Sequence, residues 1–466
     1  MAYARRRLSI LAIFLVLVGA LVFVLWFGVN SDKDNIHPLL TQLIPAGHCT
    51  CESSTTFNCT SCSKAIAPVT LRPSDPVWKF QYGKDGQNVN LDSAQCRASF
   101  PGLFEDVDRA VAFWKSHGNV STHNLDNVTL RRGMARAMIH DQELYVVASQ
   151  AAQEDHRRKI LAVLSSIHRA LAAGHATPNI EFIFSVEDKV EDIAGPGHPL
   201  WVLARKATEE SVWLMPDFGF WAWDNLSNSI GPYNQVVRNA KRLEENLPWS
   251  LKIKKVVWRG KLSFAPKLRR ALLQIARDQP WGDVKELVWS RKDNFIGMED
   301  HCKYQFIAHV EGRAFSSSLK YRQACRSVII VHKLHYIQHH HYLLQAEGPE
   351  QNYVEVERDF ADLPEKINIL LADTALAERI ANNSVKTFRE RYLTKAAEAC
   401  YWRELWDGWA KVASEDGKFE RKGLRYESFI LLESKAMMMF PPIAKGSVHS
   451  LRSLLIKSEK TCPIYG

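Results

Sequence analysis

The hydrophobic pattern of the chain begins with one long apolar run. Leu8–Val29 contains no charge and no proline, and it follows the basic segment Arg5–Arg7. A helix needs about 20 apolar residues to cross the hydrocarbon core of a bilayer. Because cytosolic flanks are rich in Lys and Arg, we predict a cytosolic tail at 1–7, an uncleaved signal anchor at Leu8 to Val29 and a luminal remainder. The alternative is a cleaved signal peptide.

Hydrophobic periodicity returns at Trp78, after a Ser, Thr, Pro and Cys-containing stretch that reads as a stem at 30–75. Apolar residues at helical spacing predict helices at Phe104–Trp114 and Ile160–Leu171. The apolar run Ile180–Val186 predicts a strand that delivers Glu187 and Asp188 at its carboxyl end.

The second half repeats this alternation of helices and strands. Strands are predicted at Ile253–Trp258, Tyr304–Val310 and Ser327–Val331, and helices at Pro266–Ala276, Thr374–Tyr392 and Ala396–Val412. In the first of these helices Lys267, Arg269 and Arg270 are expected to point outward. The last one carries Trp402, Trp406 and Trp409 at helical spacing, which favours a core role over a sugar-binding platform.

The order of these elements predicts an α/β fold. A single core seldom grows beyond about 250–300 residues, so we expect two lobes. We place an N-terminal lobe at 76–245, a C-terminal lobe at 246–440 and a tail at 441–466.

Composition changes this picture in one respect, the expected partners. The chain is 46% hydrophobic and 24% charged, typical of a globular protein, and its net charge is +9. A basic balance favours anionic partners. A luminal protein does not meet nucleic acid, so we expect an anionic donor or an acidic surface instead. Scattered surface charge is the alternative.

Cysteines and sequons agree with a luminal location. Cys49, Cys51, Cys59 and Cys62 form a cluster that favours disulfides in an oxidising compartment over a zinc site. The other five cysteines are spread out and predicted to be structural, and the odd total of nine leaves at least one unpaired or paired between chains. Asn58, Asn119, Asn127, Asn225 and Asn382 each begin an N-x-[ST] glycosylation motif.

Candidate chemistry lies in the strand–turn–helix segment Tyr304–Cys325. Gly312 allows a close backbone approach, Ser316–Ser318 are expected to cap a helix running to Cys325, and Lys320 lies one turn in. Helix amides and a lysine suit a diphosphate, although an ordinary serine-capped helix is the alternative. Arg259, after an apolar strand, is a second candidate for phosphate oxygens.

Two further motifs favour structural interpretations. Asp106-Val107-Asp108 spells D-x-D, which could hold a metal–nucleotide, but it lies in a predicted helix beside Arg109. The run His339–His341 places three imidazoles in succession. Neighbouring residues on one element do not converge on a single ion, so a surface position is favoured.

Several segments together carry a resemblance to a known family. They are Ile180–Asp188, Trp258–Gly260, Asp300–Tyr304, Glu311-Gly312 with Ser316 and Leu319–Tyr321, Gly348–Val354, Asp362-Leu363 and Phe388–Trp402. In order and spacing they resemble glycosyltransferase family 90, the capsule-associated and protein O-glucosyltransferase-like family, over about residues 78–440. The fungal membrane-anchored branch is the most similar.

The resemblance implies a GT-B-like fold with two Rossmann-like lobes facing a cleft, of which the C-terminal one binds the nucleotide sugar. It implies an inverting transfer without metal or other cofactor, from UDP-glucose or UDP-xylose to a hydroxyl of a glycan or glycoprotein. The donor-binding residues it implies are Arg259, Gly260, Gly312, Arg313, Ser316, Ser318 and Lys320. With the predicted anchor, it implies a single-pass type II protein of the Golgi or endoplasmic reticulum.

The chain departs from the family pattern at two places. Ser318 stands where the family has an arginine aimed at the diphosphate, and Lys320 or Arg313 is the expected substitute. The region that matches the family's catalytic aspartate, about Tyr145 to Ala148, has no carboxylate. Asp141, Glu143 and Asp155 lie near this region, and Asp188 matches an acidic position of the family whose role could be acceptor binding, base chemistry or structure. Asp188 and Asp141 are taken as the candidate catalytic residues. These departures keep open an alternative, a non-catalytic relative that binds nucleotide sugar or glycan.

Overall fold

The computed structural model describes residues 78–151, 154–189, 197–223, 230–288, 293–413 and 423–439. The predicted cytosolic tail, signal anchor, cysteine-rich stem and C-terminal tail lie outside these ranges. Within them, no helix combines the length and apolar character that crossing a bilayer requires. The chain divides into two units, 1–77 and 78–466, and all structural statements below concern the second.

This unit consists of helices and strands that alternate for most of its length. The strands are β1 Met134–His140, β2 Glu143–Ser149, β3 Ile180–Ser185, β4 Leu200–Val202, β5 Trp213–Leu214, β6 Ile253–Gly260, β7 Gly282–Glu286, β8 Tyr304–His309, β9 Val328–His332, β10 Val354–Val356 and β11 Leu424–Arg425. The helices are α1 Tyr82–Asp85, α2 Ser93–Ser99, α3 Glu105–Ser116, α4 Thr122–Asp126, α5 Glu154–Leu171, α6 Tyr233–Glu245, α7 Pro266–Ile275, α8 Leu319–Arg322, α9 Leu363–Ala372, α10 Thr374–Ser384, α11 Lys395–Ala410 and α12 Tyr426–Met439. Short 3₁₀ helices occur at Phe218–Phe220, Trp249–Leu251, Glu299–Lys303 and His341–Leu343, and a π-helical stretch at Val385–Tyr392 follows α10.

The first sheet has six strands in the order β11-β2-β1-β3-β4-β5. A hairpin joins β1 to β2, and β1 pairs antiparallel with β3. The strands β3, β4 and β5 run parallel to one another. Their carboxyl ends therefore share one edge, where Asp188 and Asp217 follow β3 and β5.

The second sheet is entirely parallel and has the order β7-β6-β8-β9-β10. This is the doubly wound order 2-1-3-4-5, whose direction of winding reverses between β6 and β8. Both faces are buried, since Val256 and Trp258 face one apolar cluster and Val257 faces another. Such strands are apolar throughout, which explains why their sequence runs were recognisable.

The first sheet is covered by helices that come from both ends of the unit. Helix α11 packs against α3, α5 and β3, so a C-terminal helix belongs to the core of the first sheet. Trp402, Trp406 and Trp409 are at most 1% exposed, which confirms their predicted core role. The lobe boundaries themselves stay predictions, although α11 and β11 lie on the first sheet and not with the lobe to which the sequence assigned them.

Two disulfides connect distant segments of the unit. Cys96 of α2 pairs with Cys400 of α11, and Cys302 pairs with Cys325. Both confirm the structural interpretation of these cysteines. The second one joins the 3₁₀ helix before β8 to the segment after α8, and both segments border the cavity described next.

Candidate functional site

A cavity of about 390 Å³ lies at the carboxyl ends of β6 and β8. This is the point at which the winding of the second sheet reverses, where open α/β sheets bind their ligands. We call it the arginine cavity after three of its lining residues, Arg259, Arg269 and Arg322. Gly260, Ser316 and Ser318 also line it, so four residues predicted from the sequence, Arg259 among them, meet here.

Arg259 lines the cavity, but part of its guanidinium group is already hydrogen-bonded to residues of the neighbouring strand. Its Nη2 atom lies 2.9 Å from Oδ1 of Asp283, and Nη1 donates to two backbone carbonyls. Tyr304 donates its hydroxyl to the other oxygen of Asp283 at 2.6 Å. The Nε atom of Arg259 is buried without a partner among the described residues. Arg259 is thus held rigidly and keeps one donor available.

Arg269 and Arg322 are buried cations of the cavity that the sequence prediction missed. They are 7% and 6% exposed, and no carboxylate of the described residues lies within ion-pair distance of either. Arg269 donates to the carbonyls of Glu311 and Lys261, and Arg322 donates to the carbonyl of Ala308. The prediction that Arg269 points outward is wrong, because it borders the apolar face of α7 next to buried Leu268 and Leu272.

The electrostatics of these two arginines favour the binding of an anion. Burial lowers the pKa of Arg269 to about 10. Burial and repulsion from Arg269 lower the pKa of Arg322 to about 9. Both groups stay protonated at neutral pH, but each charge is destabilised by the loss of water. An anion with two charged oxygens would compensate both at once, since guanidinium groups bind such oxygens in pairs.

The serine segment differs from its predicted form. The helix that follows it, α8, spans only Leu319–Arg322, and Ser318 makes no capping hydrogen bond. Ser316 and Ser318 hydrogen-bond to each other through their hydroxyls at 2.9 Å. The amide nitrogen of Arg322 donates to the carbonyl of Ser318, so Arg322 lies one helical turn after the position where the family has its arginine. Arg322 therefore supplies to the cavity the guanidinium group that Ser318 lacks.

At both predicted glycines, Gly260 and Gly312, the missing side chain lets neighbouring groups come close to the backbone. A Cβ atom on Gly260 would lie 2.5 Å from the ring of Trp258, a distance that real side chains do not reach. A Cβ atom on Gly312 would lie 3.1 Å from the carbonyl oxygen of Phe315 and 3.5 Å from Nη2 of Arg269. Gly312 thus lies beside the cavity and leaves room for the Arg269 side chain.

Lys320 lies away from the cavity, in the protein interior. It is 1% exposed, and its ammonium group contacts Asp217 Oδ1 at 2.7 Å and Oδ2 at 2.9 Å. It also donates to the carbonyl of Ser317. Lys320 therefore ties α8 to the loop after β5, and its charge is already compensated by Asp217.

Aromatic side chains form another part of the lining of the arginine cavity. Trp223, Trp258, Phe264 and Phe295 line it, and Phe264 and Phe295 are 38% and 47% exposed. Arg269 lies over the rings of Trp258 and Phe264 at 5.6 and 5.8 Å from their centres. A cavity lined by both cations and aromatic rings suits a ligand that joins a diphosphate to a planar base.

Asp188 lies with Arg313 at the carboxyl edge of the first sheet. Burial raises the pKa of Asp188, while the positive charges of Lys159 and Arg313 oppose the rise. The negative charges of Glu187 and Asp155 raise it further. Asp155 starts α5 and pairs with Lys159 at 2.7 Å. Asp188 is thus a carboxylate of increased basicity, which suits a general base.

A smaller cavity of about 160 Å³ adjoins this edge, and we call it the tryptophan cavity. Asp155, Lys159, Phe218, Trp221 and Trp223 line it. Trp223 also lines the arginine cavity, so the two cavities share a wall. Asp155 lines the tryptophan cavity, whereas Arg259, Arg269 and Arg322 line the arginine cavity.

Asp141 is placed far from these groups. It forms the exposed turn of the β1–β2 hairpin with Gln142, and both have positive φ angles. Ile139 pairs with Ile180 at the start of β3, whereas Asp188 follows the end of β3. Asp141 and Asp188 therefore lie at opposite ends of β3. Of the carboxylates near the unmatched region, Asp155 is the one that lies near Asp188.

Asp106 of the D-x-D motif and His339 and His340 of the histidine run are buried, whereas Asp108 is exposed. Asp106 accepts hydrogen bonds from Arg109, Arg205 and Tyr342, each at 2.9 Å, which confirms its structural role. The expectation of a surface position for His339–His341 is wrong, since His339 and His340 are at most 2% exposed. Burial lowers the pKa of His339 to about 3, so the imidazole is neutral. Among the described residues, no group of three His, Cys, Asp or Glu side chains could hold a metal ion.

The sequons differ in accessibility. Asn119 and Asn127 are exposed, in the segments after α3 and α4. Asn382 lies within α10, and its Oδ1 atom accepts a hydrogen bond from Nε of Arg326 at 2.6 Å. Asn58 and Asn225 lie outside the described residues.

Comparisons with known proteins agree with this architecture. The profile described as "Glycosyl transferase family 90" matches residues 93–427. A similar curated protein is protein O-glucosyltransferase 1 of Mus musculus, which is 21% identical over 53% of this chain and 66% of its own length. Another is the O-glucosyltransferase rumi homolog of Aedes aegypti, which is 24% identical over 47% of this chain and 57% of its own length. O-glucosyltransferase rumi of Drosophila melanogaster is 22% identical over 52% of this chain and 63% of its own. The matched part covers less than two thirds of the length of these relatives.

Proposed function

Because this chain belongs to glycosyltransferase family 90, we propose that it transfers a sugar, glucose or xylose, from a UDP-sugar to a hydroxyl group of a glycan or glycoprotein. The observation that carries this proposal is the arginine cavity. Two buried arginines without a carboxylate partner among the described residues share this cavity with aromatic rings, at the winding reversal of a parallel sheet.

In this proposal the donor diphosphate lies against Arg269 and Arg322, with Arg259 Nε as a further donor. The uracil ring packs near Phe264 and Phe295. As the bond between the anomeric carbon and the diphosphate oxygen breaks, negative charge develops on the leaving UDP. Cations held in fixed positions stabilise this charge without having to reorganise. We therefore propose a transfer that needs no divalent ion.

The acceptor is proposed to approach along the tryptophan cavity. Asp188 takes the proton from the acceptor hydroxyl, whose oxygen attacks the anomeric carbon from the side opposite to UDP. The electron pair of the broken bond leaves with UDP, and the anomeric configuration inverts. A raised pKa makes Asp188 a stronger base than an ordinary carboxylate. Asp155 is the second candidate for this role, because it lines the cavity directly.

The experiment that tests this function is a donor screen with the purified full-length chain. UDP-glucose, UDP-xylose and other UDP-sugars are incubated with and without EDTA, and release of UDP is measured. Turnover of at least one donor that persists in EDTA supports the proposal. Activity that EDTA abolishes and manganese restores contradicts the metal-independent step. UDP binding without hydrolysis or transfer supports the alternative, a non-catalytic relative.

A further inference from the structure

A third cavity, of about 400 Å³, lies apart from the proposed donor and acceptor sites. We call it the basic pocket after its cations, Arg238, Lys241, Arg242, Arg389 and Lys395. Helix α6 separates it from the arginine cavity. Asn239 lines the arginine cavity, whereas Tyr233, Val237 and Lys241 line the basic pocket.

The charges of this pocket are unbalanced. Its carboxylates are Glu245 and Glu398, and Glu398 is already bound to Arg169 and Ser166. Among the described residues, no carboxylate lies within ion-pair distance of Lys241, Arg242 or Lys395. Burial and the nearby charges of Arg169 and Arg238 lower the pKa of Lys395. Arg389 is paired with Glu244 at 2.6 Å, whereas Lys241, Arg242 and Lys395 converge on this volume without an ion-pair partner among the described residues.

A buried hydroxyl group points independently to a ligand. Tyr233 lines the pocket and is 3% exposed, yet its hydroxyl has no hydrogen-bond partner in the described structure. Nε of Arg389, which is 7% exposed, also lacks one. A buried polar group without a partner is destabilising, and a phenylalanine would avoid this loss at position 233. A bound polar molecule would supply the missing partner.

The pocket also has an aromatic component that limits the ligand class. Tyr82 and Phe220 line it beside Tyr233, and Lys241 lies over the ring of Tyr82 at 4.8 Å from its centre. Its volume is within the range of small-molecule sites. Cations select an acidic group, aromatic rings pack against the apolar face of a sugar ring, and Tyr233 can bond a hydroxyl.

We propose that the basic pocket binds an acidic sugar, through a carboxylate or phosphate held by Arg242 and Lys395 and a ring hydroxyl held by Tyr233. This site is distinct from the donor cavity. Its occupant would contact Phe220, which belongs to the same loop as Trp221 and Trp223 of the tryptophan cavity.

The test is titration calorimetry of the full-length chain with glucuronate, glucose 6-phosphate, glucose and inorganic phosphate. We expect at least one of the two acidic sugars to bind more tightly than either glucose or phosphate. Binding by glucuronate alone identifies a carboxylate ligand, and binding by glucose 6-phosphate alone identifies a phosphate ligand. Saturating UDP should leave this binding unchanged. No binding of either acidic sugar, affinity no better than that of phosphate, or competition by UDP would overturn the proposal.

Matched variants separate the site from general electrostatics. Arg242→Gln and Lys395→Gln should each weaken binding at least tenfold, whereas Lys254→Gln removes an exposed charge on β6 and should change nothing. Tyr233→Phe should weaken binding without lowering the melting temperature, because the lost hydroxyl has no partner in the free protein. Equal losses in Lys254→Gln, or full affinity in Tyr233→Phe, would contradict the assigned contacts.

Discussion

At the scale of single residues, the sequence predicted where the site lies, but it did not predict the site's most important charged groups. Arg259, Gly260, Ser316 and Ser318 were predicted and meet in one cavity. The strongest anion-binding candidates, Arg269 and Arg322, were not predicted as site residues. Their burial depends on elements distant in sequence, and the one local signal is that Arg269 lies three residues before buried Leu272.

The first residue-scale prediction concerns the two buried arginines. Arg269→Ala and Arg322→Ala should each weaken UDP binding about tenfold or more, because hydrogen bonds to charged groups contribute roughly 1.5–3 kcal/mol. Titration calorimetry measures the effect. Arg270→Ala is the matched control, since Arg270 is the exposed neighbour on α7. An affinity loss in the control equal to that in Arg269→Ala would refute a specific contact.

The second concerns Asp188 and pH. Since burial raises its pKa, the basic form of Asp188 predominates only above that raised value. Turnover should therefore rise as pH increases through the pKa and be lost as pH falls below it. Asp188→Asn should lower turnover by about 10²-fold or more, remove this dependence and leave UDP affinity unchanged. Asp155→Asn is the comparison, and if it alone abolishes turnover, Asp155 is the base.

The third concerns Lys320, which the sequence placed in the donor site. Lys320→Met should lower the free energy of unfolding by about 3–5 kcal/mol, because it leaves the carboxylate of Asp217 buried and uncompensated. Denaturant unfolding measures this change. Adding Asp217→Asn should restore part of the stability, since the amide is neutral. A fully stable Lys320→Met protein that has lost UDP affinity would return Lys320 to the donor site.

At the scale of elements, long apolar patterns were read correctly and short elements were not. Helices α3, α7 and α11 and strands β3, β6, β8 and β9 were predicted nearly to their ends, whereas α5 begins six residues before its predicted start. Strands β4 and β5 have three and two residues, too few to show a period. The hairpin β1–β2 was missed because its turn, Asp141-Gln142, has positive φ angles without glycine. The serine segment led to too long a helix, since tertiary contacts end α8 at Arg322.

One prediction belongs to this element. If Arg322 supplies the guanidinium that Ser318 lacks, Ser318→Arg should recover UDP binding in the Arg322→Ala background. The reason is that both positions lie on one turn and line the same cavity. Ser318→Met in that background adds length without charge and should recover nothing. Equal recovery by both double variants would show that filled volume, and not charge, is what matters.

At the scale of the whole molecule, the α/β class was predictable, because the alternation of helices and strands favours a parallel sheet. The packing of α11 against the first sheet could not be predicted from the sequence, since the tryptophans of α11 would be equally buried in either core. The buried run His339–His341 shows the same limit. His339 is covered by Tyr401 of α11, at 4.6 Å between ring centres, and the contact joins segments far apart in sequence.

A prediction at this scale uses surface accessibility. If the unit is luminal, Asn119 and Asn127 should carry glycans, whereas Asn382 should not, because its amide is bound to Arg326 within a helix. Asn119→Gln and Asn127→Gln should each increase gel mobility by the amount expected for the loss of one glycan, and Asn382→Gln should leave gel mobility unchanged. Endoglycosidase treatment of the wild type is the reference. A mobility shift for Asn382→Gln, or none for the other two variants, would contradict it.

The disulfide between Cys96 and Cys400 also determines how the unit responds to force. It joins two positions separated by 304 residues, near the beginning of the unit and in its last long helix. Tension applied to the two chain ends would pass directly from α2 to α11 through this covalent bond. Both sheets and the arginine cavity lie mostly within the closed loop, so about 1000 Å of potential chain extension would be shielded from pulling. Reduction alone would expose that length to tension.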